Sequence, residues 1–245
     1  MRFASLAAVT ALALLATPAA ANPRPLGFTY GYGTTPEGQL ELEQYIDVRP
    51  LEVDDGAGGT DTRLQFDLQT ELELGLSDHW ELGFYLVGRQ PVDGPFVFRG
   101  LKQRVRGRFA EEGELPIDIG IYLEIIEYGD AIEFEEKLIL QKRFGSFLAL
   151  ANISFEQEVP LDGGEAELVF NPSLGIAWAP SPAVSLGLEY RLDGEFEELG
   201  EADHYLGPVL MLVKGEYFAT IGAYAHLAGE SEGDVWVRCL LGIGL

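Results

Sequence analysis

Four basic side chains recur at every second position in one short stretch of this sequence. They belong to the segment LKQRVRGRF and are Lys102, Arg104, Arg106 and Arg108. In a β-strand, successive side chains point to opposite faces, so all four are predicted to share one face. Like charges this close together repel one another and need opposite charges nearby. Their expected chemistry is therefore ion pairing with carboxylates.

Carboxylates stand on the strands expected on either side of this basic stretch. One interpretation of the combined set is a salt-bridge network across the wall of a β-structure. The other is a transverse field that orients solutes in a water-filled lumen, because charged stripes set the selectivity of pores. The candidate lumen-lining carboxylates are Asp67, Glu71, Glu73, Glu81, Asp118 and Glu124.

The sequence offers no arrangement that predicts catalysis. A nucleophilic enzyme needs a serine beside a histidine base that a third polar group orients. The three histidines, His79, His204 and His226, stand in no such motif, and the serine nearest to His226 is Ser231 in an acidic loop. We therefore predict no catalytic residues, no cofactor and no dedicated metal site.

The chain is strongly acidic, with 16 basic and 40 acidic residues and a formal net charge of −24. Nucleic acid is excluded as an expected partner, because phosphate contacts require clustered Lys and Arg over a surface. The acidic loops at 52–61 and 193–204 match no EF-hand spacing, so we interpret them as a solvated surface that divalent cations bridge to lipopolysaccharide. The single cysteine, Cys239, excludes an intrachain disulfide.

The beginning of the chain has the pattern of a secretory signal. Arg2 supplies a positive charge, residues 3–15 are apolar, and three alanines before Asn22 form a small-residue cleavage site. The N-terminal segment that follows is rich in Gly and Pro, and it lies either in the periplasm or partly in a lumen. The predicted divisions are a signal peptide at 1–21, this N-terminal segment at 22–38 and a barrel at 39–245.

Alternation of apolar and polar residues dominates the remaining chain. In TRLQFDLQTELELGL, residues 62–76, one parity is mostly apolar and the other mostly charged, which is typical of a strand with two unlike faces. No apolar run after residue 21 is long enough for a membrane helix, so any membrane insertion would use strands. The pattern recurs about twelve times and predicts an all-β fold, a closed antiparallel transmembrane barrel in up-and-down order. The predicted strands are 39–49, 62–76, 80–89, 98–109, 116–127, 131–144, 147–158, 165–178, 183–192, 204–213, 216–227 and 234–245.

Three features predict that the apolar face of this barrel points outward to lipid, whereas a soluble barrel would turn it inward: aromatic residues beside the tight turns, dense charge on the polar face, and alternation at 235–245 that resembles the terminal strand of outer-membrane barrels. Tight turns alternate with mostly longer loops, as in bacterial outer-membrane barrels. Aromatic residues of apolar parity flank the tight turns, as expected of a belt at a membrane interface. The predicted belt consists of Trp80, Phe109, Phe144, Phe147, Trp178 and Tyr217. The predicted outward residues of the second strand are Leu64, Phe66, Leu68, Leu72 and Leu74.

Three segments carry a resemblance to known proteins: TPEGQLELEQYIDVR at 35–49, LQTELELGLSDHWELGFYL at 68–86 and the stretch 121–158. They resemble a broad group of bacterial outer-membrane barrels described as transporter-like or as the MetA-pathway of phenol degradation family. The resemblance implies a cell outer-membrane location and a channel or transport role, and it supplies no catalytic residues.

Two functions stay open on the sequence. One is a narrow channel or transporter for small solutes. The other is a non-conducting structural or interaction barrel with a charge-filled lumen. The expected partners are outer-membrane lipid and lipopolysaccharide, the barrel-assembly machinery during biogenesis, and small solutes.

Overall fold

The computed structural model describes residues 21–56, 58–231 and 233–245. The predicted signal peptide at 1–21 lies outside these residues, apart from Ala21. No helix of the described chain is both long enough and apolar enough to cross a membrane. The only helical element described is a three-residue 3-10 turn, Phe196–Glu198. The strands are β1 (Leu40–Asp54), β2 (Thr60–Ser77), β3 (Trp80–Gln90), β4 (Val97–Arg108), β5 (Asp118–Tyr128), β6 (Ala131–Phe144), β7 (Phe147–Pro160), β8 (Glu167–Phe170), β9 (Ser173–Ser181), β10 (Val184–Glu195), β11 (Asp203–Lys214), β12 (Tyr217–Ala228) and β13 (Val235–Gly244).

The strands form one closed antiparallel barrel. Each strand pairs with its neighbours in sequence, and β13 returns to β1, with Glu41 opposite Gly244 and Val48 opposite Val237. β8 and β9 are two parts of one wall strand, because both pair with β7 on one side and with β10 on the other. The thirteen segments therefore make a twelve-stranded wall in meander order, which confirms the predicted all-β barrel.

Two predicted boundaries are wrong in detail. The single strand predicted at 165–178 is interrupted between β8 and β9 at Asn171 and Pro172, because Pro172 has no N–H to donate to the ladder. The pairing offset with β7 is the same on both sides of this break. The first loop, predicted at 52–61, shortens to 55–59, because β1 and β2 stay paired as far as Asp54 and Thr60.

The apolar face of the strands lies outside the barrel and the charged face inside. Along β2, Leu64 and Leu72 are 50% and 40% exposed, whereas Glu71 and Glu73 are 0% and 1% exposed. This is the reverse of a soluble protein and matches a barrel that faces lipid. The other predicted outward residues of this strand are half-buried on the same face, namely Phe66, Leu68 and Leu74.

The two ends of the barrel differ in their connections. At the end that we call the turn end, two-residue turns at Gly145-Ser146 and Gly215-Glu216 join successive strands. Gly145 and Gly215 have φ of +59° and +62°, the left-handed region that tight hairpin turns require and that glycine adopts without strain. Longer connections such as 91–96 and 196–202 lie at the opposite end, the loop end.

Candidate functional site

The N-terminal segment of the barrel domain lies inside the barrel. We call Asn22–Glu37 the lumen segment. Its side chains Leu26, Phe28 and Thr29 are 0%, 4% and 0% exposed. At its far end the chain returns to the turn end, where the Gly38 N–H donates to the Gly75 carbonyl at 2.9 Å before β1 begins. The sequence left the lumen and the periplasm open as places for this segment; its described residues contact inward-facing side chains of the wall.

Glu189, on the inner face of β10, accepts hydrogen bonds from the middle of the lumen segment. Its Oε1 accepts the backbone N–H groups of Phe28 at 3.0 Å and Thr29 at 2.6 Å, and also the Thr29 hydroxyl at 2.7 Å. Its Oε2 accepts the Gly27 N–H at 2.9 Å and the Tyr224 hydroxyl. One carboxylate thus satisfies three consecutive backbone donors, which would otherwise be buried without partners.

Amide side chains of the wall extend this arrangement along the segment. Asn152 Oδ1 accepts the Tyr30 N–H at 2.6 Å, and Asn152 Nδ2 donates to the Tyr30 carbonyl at 3.1 Å. Gln141 Oε1 accepts the Tyr32 N–H at 2.9 Å. These bonds replace the strand partners that the segment lacks, so its backbone is held by wall side chains.

The two ends of the lumen segment bond to the turn-end half of β1, β2 and β3. The Asn22 N–H donates to Glu41 Oε2 at 2.7 Å. Thr35 donates its backbone N–H to Glu81 Oε2 at 2.5 Å and its hydroxyl to Glu73 Oε2 at 2.7 Å. The segment therefore rises from the turn end to the middle of the barrel and comes back down.

Aromatic rings of the lumen segment lie against basic and aromatic side chains of the wall. The Phe28 ring centroid lies 4.8 Å from that of Trp236, and the Arg238 guanidinium carbon lies 4.0 Å from the Phe28 centroid. The Tyr30 ring lies 5.0 Å from Tyr122, centroid to centroid. Cation–π and tilted ring contacts of this kind add to the burial of the rings and fix their position.

Arg104 is the centre of an ion-pair cluster beside the segment. Its guanidinium contacts Glu71 Oε1 at 2.6 Å, Glu81 Oε1 at 2.5 Å, and Glu73. Arg106 Nε lies 2.8 Å from Glu81 Oε1. Five of the ten predicted lumen-lining residues therefore meet in one cluster that is closed to solvent.

The other predicted lumen residues lie at different heights in the barrel. Lys102 Nζ pairs with Glu124 Oε1 at 3.2 Å, nearer the loop end. Asp67, also nearer the loop end, accepts a hydrogen bond from Arg89. At the turn end, Arg108 Nη1 pairs with Glu111 Oε2 at 2.7 Å, and Asp118 Oδ1 accepts the Gly113 N–H at 2.7 Å. The four basic residues thus share one face of β4, but their contacts form three separate groups.

Three interior carboxylates are close enough together to share a cation. Oxygen atoms of Glu43, Glu71 and Glu73 lie within 4.8 Å of one another. Arg104 already contacts Glu71 and Glu73, and the Arg24 guanidinium lies 3.6 Å from Glu43. Guanidinium groups therefore occupy the place that a metal ion would need.

Two cavities lie on either side of the lumen segment. The outer cavity, toward the loop end, measures about 370 Å³, and Phe28 and Tyr30 form part of its lining. The inner cavity, toward the turn end, measures about 290 Å³ and is lined by Pro23, Arg24 and Arg143 among others. The segment separates the two. The basic residues that line the outer cavity are Arg49, Arg89, Arg99, Lys102, Lys137, Arg191 and Arg238.

The predicted aromatic belt is exposed at the turn end. Five of its members lie at or beside a strand end, Trp178 lies opposite Phe147 at the start of β7, and the exposed fractions range from 39% for Trp80 to 60% for Phe144. The Phe147 and Trp178 rings stack with centroids 6.4 Å apart. Contact of this belt with lipid remains a prediction. The remaining members, Phe109 and Tyr217, are both 58% exposed.

Sequence reasoning missed the wall residues that hold the lumen segment. Gln141, Asn152 and Thr220 were not singled out, although each is a polar residue of inward parity; Thr220 donates its hydroxyl to the Arg24 carbonyl at 2.5 Å. Inward parity was the available signal, but it does not distinguish a residue that faces water from one that holds another segment.

The closed barrel is similar to solved structures of channels and porins. An outer membrane channel from Pseudomonas putida F1 aligns with a TM-score of 0.62 at 10% identity, over 87% of this chain and 98% of that chain. The NanC porin aligns with a TM-score of 0.58 at 6% identity, over 83% and 98%. The KdgM porin in complex with disordered oligogalacturonate aligns with a TM-score of 0.54 at 7% identity, over 83% and 97%.

These likenesses concern the fold, since the identities are low. The sequence matches no protein-family description and no curated relative. The resemblance to the MetA-pathway of phenol degradation family therefore stays a prediction. The coarser part of that resemblance is confirmed: this chain has the barrel fold of outer-membrane channels and porins.

Proposed function

We propose that this protein is a channel for small solutes in the cell outer membrane. The observation that carries the proposal is the lumen, in which two cavities of about 370 and 290 Å³ are separated by a segment that is not part of the wall. The twelve-stranded wall closes through the pairing of β1 with β13 and does not need that segment. Displacing the segment would join the cavities into a passage.

Exposed apolar side chains on the wall support the proposed membrane location. Leucines on the outer face, such as Leu64, Leu86 and Leu188, are 50%, 57% and 50% exposed. Left in water, a surface of this kind would aggregate, whereas lipid covers it. Outer-membrane lipid, lipopolysaccharide at the acidic loops, and the barrel-assembly machinery during biogenesis are the partners that this location implies. Membership of the MetA-pathway of phenol degradation family would also imply a channel or transport role. It rests only on the three similar segments at 35–49, 68–86 and 121–158.

The three histidines contact acidic and phenolic side chains. His226 Nε2 lies 3.1 Å from Asp203 Oδ1, and His204 Nδ1 lies 2.6 Å from the Tyr190 hydroxyl. His79 Nε2 lies 3.2 Å from Glu111. None of these contacts places a serine hydroxyl next to a histidine base, which hydrolysis by a barrel enzyme would require.

Planar-bilayer recording of the full-length mature protein and of a variant without residues 22–34 tests the proposal. We expect the intact protein to show rare openings and the deletion variant to show steady conductance, because the two cavities become continuous. Barrel closure in both proteins is checked by the change in electrophoretic mobility on boiling. A properly closed deletion variant without conductance would instead support the sealed structural barrel.

A further inference from the structure

Glu41, the second residue of β1, is a buried carboxylate with an incomplete set of partners. It is 1% exposed, and its Oε2 accepts the Asn22 N–H at 2.7 Å. Its Oε1 is buried and has no hydrogen-bond partner. A buried carboxylate is costly unless a cation or several donors compensate it, and among the described residues no N–H, hydroxyl or guanidinium group donates to Oε1 of Glu41.

The neighbouring arginines contact other carboxylates, and their buried nitrogens without a hydrogen-bond partner, Nε and Nη2 of Arg24 and Nε of Arg106, donate no hydrogen bond to Glu41. Arg24 pairs with Glu43, and Arg106 pairs with Glu81. Arg104 contacts Glu71, Glu73 and also Glu81. On the turn-end side of the lumen, five buried glutamates thus face three arginines. The glutamates are Glu41, Glu43, Glu71, Glu73 and Glu81. One further positive charge beside Glu41 would reduce this excess.

The sequence itself supplies a source for that charge. Three small residues end at Ala21, and the cleavage site predicted there would make Asn22 the first residue of the mature chain. The nitrogen that now donates to Glu41 is the backbone nitrogen of Asn22. The Asn22 side chain is also fixed, because its Nδ2 donates to the Gly33 carbonyl at 3.2 Å.

We propose that Glu41 is the binding site for the α-ammonium group of the mature chain, which forms when the leader is removed. Water hydrolyses the Ala21–Asn22 peptide bond, the leader leaves with the new carboxylate of Ala21, and the amine of Asn22 takes up a proton. The nitrogen already lies at ion-pair distance from Glu41, so no rearrangement is needed. An ammonium group has three donors where the amide has one, which allows it to serve both oxygens of the carboxylate.

A consequence is that the lumen segment becomes fully anchored only after processing. In the precursor, Asn22 is a neutral amide and Oε1 of Glu41 has no hydrogen-bond donor. After cleavage, the ion pair ties the first residue of the segment to β1. This inference concerns the docking of the segment and does not require the barrel to conduct.

The test is the reactivity of the α-amine in the full-length mature protein isolated from membranes. Mass spectrometry of the N-terminal peptide first establishes its first residue, which we expect to be Asn22. Reductive methylation of the α-amine is then followed in the folded and the urea-unfolded protein. We expect at least tenfold slower reaction in the folded protein, because the amine is buried against Glu41. A first residue other than Asn22, or equal rates in the two states, would overturn the proposal.

Two substitutions separate the ion pair from simple burial. Glu41→Gln keeps the shape of the side chain and removes its charge, so we expect it to abolish most of the protection. The matched control is Glu37→Gln, an exposed glutamate on the same segment, which should leave the protection unchanged. Full protection of the amine in a closed Glu41→Gln barrel would contradict the assignment. None of these readouts uses conductance, so failure of the channel proposal leaves them interpretable.

Discussion

Glu189→Gln is the substitution that most directly tests how the lumen segment is held. Glu189 accepts the backbone N–H groups of Gly27, Phe28 and Thr29. Glutamine has nearly the same shape, but one of its two terminal atoms donates instead of accepting. Whichever way the amide turns, its NH₂ group then faces at least one backbone N–H that it cannot satisfy, whereas a facing hydroxyl can rotate and accept from it.

The expected loss follows from the number of bonds. Oε1 accepts three of them and Oε2 accepts two. With the NH₂ at the Oε2 position the Gly27 N–H loses its acceptor, and with the NH₂ at the Oε1 position two backbone N–H groups lose theirs. Each hydrogen bond to a charged group contributes about 1.5–3 kcal/mol net, so docking of the segment weakens by about 1.5 kcal/mol at the lower bound. Since 1.4 kcal/mol corresponds to a factor of ten, the released fraction rises at least roughly tenfold.

Hydrogen exchange of the amides at residues 27–29 measures this release directly, and single-channel recording measures its effect on opening. We expect faster exchange and a higher open probability in Glu189→Gln. Glu195→Gln, an exposed glutamate at the loop end of the same strand, is the control and should behave like the wild type. Unchanged protection at residues 27–29 in the Glu189 variant would refute the reasoning, since their donors would then not depend on this carboxylate.

Three further predictions test the wall. Leu68→Arg on the outer face should destabilise the barrel by roughly 2–4 kcal/mol if it lies near the bilayer midplane, whereas Gln69→Arg in the outer cavity should be nearly neutral; urea unfolding in liposomes compares them. Arg104→Gln leaves three buried carboxylates without their shared cation and should cost about 3–5 kcal/mol in the same assay, and wild-type stability would contradict the ion-pair cluster. Lys102→Gln removes a positive charge from the outer cavity and should move the reversal potential toward cation selectivity in the variant without residues 22–34; a shift toward anions would contradict its position.

The wall of this barrel could be predicted because its signal is local and repeated. A strand with lipid on one side and charge on the other alternates at every residue, as Leu72 and Glu73 do on β2. Each hairpin repeats that pattern, so twelve independent stretches support the same fold. Pro172 falls where the alternation continues on both sides, and the pattern therefore could not locate the break between β8 and β9.

The lumen segment could not be placed because its contacts are made over long separations in sequence. Thr29 and Glu189 are 160 residues apart, and Tyr30 and Asn152 are 122 apart. The segment NPRPLGFTYGYGTTPEG has neither helical nor strand periodicity, so its own residues give no direction for its side chains. The acceptor side chains of the wall come within hydrogen-bond distance of the backbone N–H groups of the lumen segment only when the strands have closed into a barrel.

The interior carboxylates therefore divide into two kinds, which the sequence presents as one polar face. Glu71, Glu73 and Glu81 neutralise Arg104, as the salt-bridge interpretation expects. Glu189 and Glu41 have donors of the lumen segment as partners instead of arginines. When the segment leaves, Glu71, Glu73 and Glu81 keep their contacts with Arg104 and Arg106, whereas Glu41 and Glu189 face water without a contacting cation. The open lumen thus gains negative charge at the height that the segment had occupied, and charged stripes at a constriction set selectivity. The two interpretations of the polar face consequently apply to different residues: one set holds the wall together, and the other generates a field only when the passage is open.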